Sequence, residues 1–234
     1  MEPVRFFKSL EEFFFDLMSF VAFAPVSFVK ALNPKWVLEY VPCQFQLEKN
    51  ERFKNTVCPL YLWLVFVSVP FIPFVWQYFN FFYPEEWVRG IIENCRKKTE
   101  VRIFFTMIIP FTMPFTFAIL TQIFSSKGYT RTEFREKIYI QCYLCTPLQF
   151  FFLIGPMIDE AVFGGEMTTT FVSMIPAFLY SGWFLYCELY VIQNSLKTHW
   201  VLSAVMVIFF LLLSLLMAYF FPLFCAVMLG VTGS

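Results

Sequence analysis

The chain has 234 residues, of which 59% are hydrophobic, 22% aromatic and 15% charged. A soluble domain carries roughly 25% charged residues, so most of this surface has no reason to face water. Seventeen basic and seventeen acidic side chains cancel, which removes any global basic field for nucleic acid.

The first residues alternate sides. Phe6, Phe7, Leu10, Phe13, Phe14, Leu17 and Met18 recur at three- and four-residue spacing, while Arg5, Lys8, Glu12 and Asp16 fall mainly opposite. The pattern predicts an amphipathic membrane-surface helix, lying in the headgroup plane or packed on the protein's own membrane part. Glu11, Glu12 and Asp16 interrupt the run after Arg5 and Lys8, so no cleavable signal peptide is expected. An apolar run continues to Val29, interrupted by Pro25. From Asn33 to Asn55, prolines and charges read as a solvent-side connector with one short helix. Residues 1–56 are thus expected to form a cytoplasmic, interfacial region ahead of a transmembrane bundle at 57–234.

Five spans are predicted, near 57–82, 103–124, 138–163, 167–194 and 200–229. The first four carry internal prolines: Pro70 and Pro73, Pro110 and Pro114, Pro147 with the break Gly155-Pro156, and Pro176. Membranes tolerate such kinks where neighbouring helices re-satisfy the backbone. Tyr61, Trp63, Trp76 and Tyr78 are expected at the interfaces of the first span. Thr130 or Thr132 is expected to cap the helix that enters the third. The last stretch is the plainest. No charged side chain comes after His199, and Val201 to Phe221 is about 21 residues, spanning roughly 30 Å at 1.5 Å per residue. The fold class predicted is an all-α polytopic transmembrane helix bundle with about five proline-kinked spans and an amphipathic N-terminal helix. Small residues such as Ala118, Gly182, Ser203 and Ser214 are expected where helices approach closely.

Lys and Arg counts set orientation. With the N-terminus inside, twelve of the seventeen fall on the cytoplasmic side and five in the first link, where Arg96, Lys97 and Lys98 cluster. This predicts a multi-pass protein with its N-terminus cytoplasmic. The same cluster leaves open a shallow hairpin in which the first two segments do not cross.

Few groups carry chemistry. Glu188 lies inside the fourth span, and Asp159 and Glu160 come just after the Gly155-Pro156 break. Carboxylates at such depth suggest a polar or ion path, or else pairing and interfacial solvation. Lys197, His199 or an Arg of the second link is the expected partner of Glu188. Cys142 and Cys145 form a CxxC on one helical face, the spacing of a redox pair or half a zinc site; buried small side chains are the alternative. The seven scattered cysteines give no disulfide framework, and His199 alone builds no metal site. No phosphate loop, HExxH or GxSxG occurs, so no catalytic, cofactor-binding or metal residues are assigned.

Residues 125–217 carry a resemblance. A Gly128-containing link leads into EFREKIYIQCYLCTP, with Tyr143 and Pro147. Next come a short turn, a fourth span with Gly182 and Trp183, a brief polar link and a long apolar last span. The arrangement resembles the Yip (Ypt-interacting protein) family of five-span membrane proteins, taken broadly to include bacterial Yip-like proteins, and PVSFVKALNP is similar in style to the family's N-terminal region. The Rab-binding signature of eukaryotic members does not occur. The resemblance implies no catalytic residues. The function expected is a non-enzymatic integral membrane scaffold or accessory subunit, binding other membrane proteins or itself, or shaping the bilayer. A small transporter or channel using Glu188, Asp159 and Glu160 is the first alternative. A membrane thiol–quinone oxidoreductase using Cys142 and Cys145 is the second. No cofactor and no nucleic-acid partner are expected.

Overall fold

The computed structural model describes residues 18–48, 52–72, 99–125, 130–163 and 170–228; of these, the side chains at 99, 102, 152, 154–163, 170–177 and 226–228 stay outside the description. Every regular element among the described residues is a helix. These are α1 (Met18–Ala31), α2 (Pro34–Gln46), α3 (Pro59–Phe71), α4 (Thr99–Ile123), α5 (Arg131–Phe163), α6 (Thr170–Leu196) and α7 (Trp200–Met228).

Asn33 divides α1 from α2. Its Oδ1 accepts the backbone N–H of Lys35 at 3.1 Å and of Trp36 at 3.2 Å. Pro34 takes the first helical position, where no donor is required. The stretch holds the one short helix expected of it, but that helix is packed on one face rather than loose. Pro34, Val37, Val41 and Gln44 are buried at spacings of three and four, and this face packs on α5 and α6. The charged side chains occupy only the opposite face.

Proline shapes α3 and α4 differently. Pro70 has no N–H to offer the Phe66 carbonyl. The chain responds with a π-helical turn over Leu64–Ser68, in which the Val69 N–H reaches back to the Leu64 carbonyl. In α4, Pro114 leaves the Pro110 carbonyl without its helical donor. Gln149 of α5 supplies one, its Nε2 standing 2.7 Å from that oxygen. The same amide accepts the indole N–H of Trp63 at 2.8 Å. One side chain thus joins α3, α4 and α5. Trp63 is buried in this bond, its ring packed inside the bundle and not on its surface. The hydroxyls of Thr112, Thr116 and Thr121 donate to carbonyls of their own helix, each at 2.7 Å. These three hydroxyls therefore need no water.

Thr130 caps α5, its Oγ1 accepting the Glu133 N–H at 3.2 Å. The helix then runs 33 residues, through Pro147 and Gly155-Pro156, without the expected break. It is the axis of the fold: α2, α3, α4 and α6 all pack on it. One apolar cluster joins α1, α2, α5 and α6 through Ala31, Val37, Val41, Tyr143, Leu144 and Val191. It crosses residue 56 without interruption. A second joins α4, α5, α6 and α7 through Phe117, Leu148, Phe184, Ile192, Val207 and Phe210. The phenylalanines pack largely edge to face. Phe28 meets Phe150 at 5.3 Å and 70°, and Phe117 meets Phe210 at 5.7 Å and 80°. Gly182 does not mediate a close approach, because no atom lies within 4 Å of where a Cβ would stand.

Two helices among the described residues are long and apolar enough to cross a membrane, over Ile103–Ile123 and Trp200–Cys225. They are unequally covered. The protein buries 56% of the first apolar window and 22% of the second. Val201, Leu202, Val205, Ile208, Leu212 and Leu216 form an uncovered apolar face along α7.

Candidate functional site

Glu188 is the group whose chemistry most needs explanation. It sits on α6, is 0% exposed, and faces α5. There Gln141, also buried, donates Nε2 to Glu188 Oε2 at 3.2 Å. The second carboxylate oxygen, Oε1, is buried with no hydrogen-bond partner. Cys145 extends the group, its thiol 4.0 Å from Gln141 Oε1. The expected pairing with Lys197, His199 or an Arg is thus replaced by a neutral amide. The reason is rotational. Glu188 shares the inward face of α6 with Phe184 and Cys187, whereas Lys197 and His199 lie in the exposed link beyond the end of the helix. Burial of a carboxylate is costly and is ordinarily offset by full hydrogen bonding. Half of that compensation is missing here.

Cys142 and Cys145 lie on one helix and are buried and unbridged, as is Cys187. Among the described residues, no group of three or more His, Cys, Asp or Glu side chains converges to hold a metal. Asp159 and Glu160 fall near the end of α5, with side chains outside the description. Phe6, Phe7, Leu10, Phe13, Phe14 and Leu17 lie outside the described residues. Met18, the last of that stripe, begins α1 and is 67% exposed.

A polar knot holds the α2–α3 link against α5. The Tyr143 hydroxyl donates to the Val57 carbonyl at 2.6 Å, and the Val57 N–H donates to Ser27 Oγ at 2.8 Å. Tyr40 and Thr56 share a hydrogen bond at 2.7 Å. Burial pushes the Tyr40 phenol above its ordinary range, partly offset by that bond.

A cavity of about 570 Å³ opens among α3 to α7. Its walls include Val67, Ile109, Leu148 and Phe184, and its rim Leu185 and Leu215. Phe184 stands one helical turn before Glu188, so the cavity and the buried carboxylate are neighbours along α6.

Gln141 and Gln149 were not singled out from the sequence. Their signal was present: two amides inside apolar helical runs, where a polar side chain must find a partner on another helix. No family model, no curated protein and no solved structure matches this chain.

Proposed function

We propose that the protein is a multi-pass integral membrane scaffold or accessory subunit, holding membrane partners or a second copy of itself. The observation that carries this reading is the uncovered apolar face of α7, on a helix long enough to cross a bilayer. The reactive groups support a non-enzymatic role, since the thiols of Cys142 and Cys145 are sealed inside the helix packing. In this reading α3 to α7 give the five spans, the Yip-like arrangement applies, and the N-terminus is cytoplasmic. In-membrane crosslinking from Val205→Cys and Leu212→Cys, in a Cys43→Ser background, tests it. A discrete adduct of higher mass is expected. A lone monomer from both positions, together with a lone monomer in mild detergent, would refute the proposal.

A second reading rests on Glu188 Oε1, a buried oxygen without a donor. Such an atom is suited to receive a transient proton or cation, as in a small transporter. Proton or cation flux in liposomes is then expected to fall in Glu188→Gln. Flux unchanged by that substitution removes the residue from any transport path.

A further inference from the structure

The apolar cavity supports an inference beyond the scaffold reading. We propose that it is an intramembrane binding site for one acyl chain of a bilayer phospholipid, which enters between α6 and α7.

The polar side chains of the lining are all occupied within the protein. Thr112 donates to the Ile109 carbonyl at 2.7 Å, and Ser214 to the Leu211 carbonyl at 2.9 Å. Gln149 uses both ends of its amide on Trp63 and Pro110. Ser181 is engaged as well. A buried water needs two to four polar partners, and with these donors engaged the lining, apolar almost throughout, offers it little. No charged side chain lines it to hold a headgroup or an ion.

On the multi-pass reading proposed above, on which this inference rests, the solvent at its mouth is hydrocarbon. Leu185 on α6 and Leu215 on α7 form the rim and are 41% and 60% exposed, while Ile109, Phe184 and Ser214 at the floor are buried. A slot left empty forfeits dispersion contacts on every wall. The nearest material able to restore them is a lipid tail. Size selects the same occupant. At about 570 Å³ the cavity is within the usual range of roughly 300–1,000 Å³ for ligand sites. A flexible unbranched chain threads the gap between two leucines.

The test uses the full chain in phosphatidylcholine vesicles containing a phosphatidylcholine with a diazirine midway along one acyl chain. After irradiation, adducts are mapped by mass spectrometry. Adducts are expected on Met113 and Leu148, inside the cavity, as well as on Leu202 and Leu212 of the outer face. Ser214→Phe fills the slot. Its interior adducts are expected to fall about tenfold, which corresponds to about 1.4 kcal/mol of affinity, while outer-face adducts persist. Exclusion of maleimide from Cys142 and Cys145 certifies that the variant is folded. Ser181→Leu, which fills the slot from α6, replaces it if not. Adducts confined to the outer face of the unsubstituted chain would overturn the proposal. So would interior adducts undiminished in a folded, filled variant, or a protein–protein crosslink at Met113 in place of lipid.

Discussion

Replacing Gln149 with Leu removes a side chain that bonds both α3 and α4 from α5. Two partners lose their bonds, the Trp63 indole N–H and the Pro110 carbonyl that Pro114 cannot serve. In water, a buried donor or acceptor left unpaired costs about 1–3 kcal/mol. Between helices in a bilayer, measured side-chain bonds average about 0.6 kcal/mol and reach about 1.7, because the reference state finds other partners. Two bonds, one of them to a carbonyl with no helical alternative, place the cost at about 1–3 kcal/mol. Reversible unfolding in mixed micelles of Gln149→Leu, Trp63→Phe and the double variant measures it. The cycle subtracts the packing lost with the indole. A coupling of about 0.5–1.5 kcal/mol is expected between the two sites. Strict additivity, within about 0.3 kcal/mol, would refute the reasoning, since two residues that share a bond cannot be energetically independent.

The same geometry sets three further outcomes. Gln141→Leu strips the Glu188 carboxylate of its one donor and should cost about 1–3 kcal/mol, whereas Gln141→Leu with Glu188→Met should recover most of that loss; equal losses in both variants would contradict the buried pair. Asn33→Ala should destabilise by about 1 kcal/mol, and Asn33→Asp by much less, because the cap needs only an acceptor oxygen; a loss as large in Asn33→Asp would contradict it. Maleimide applied to folded protein in mild detergent should modify exposed Cys43 and spare Cys142, Cys145 and Cys187 until denaturation; early modification of Cys142 would contradict its burial.

The sequence was most legible where one physical cause dominates. α7 has no charged side chain and little option but helix, and α4 matches its predicted span to within a few residues. The Thr130 cap was visible as a hydroxyl just ahead of an apolar, helical run. The packing of α2 is harder to see in the sequence because its charges are local and obvious, whereas the buried face at Pro34, Val37, Val41 and Gln44 shows only at three- and four-residue spacing. Glu188 illustrates a different limit. Its burial is a consequence of its position within the predicted span, but its partner is 47 residues away in the chain. Proximity in sequence favoured Lys197 and His199, and the rotation of α6 decided for Gln141. Trp63 shows the same limit: its amide partner, Gln149, is 86 residues away.

The placement of α5 at the centre has a consequence for biosynthesis. Some contacts of the first helices must form late. Trp63 waits 86 residues for Gln149, and the Leu32 carbonyl waits 151 for the Trp183 indole. At about 5–20 residues per second, the second interval is roughly 8–30 s. Throughout that time the nascent N-terminal segments hold apolar faces ready for an axis the ribosome has not yet delivered.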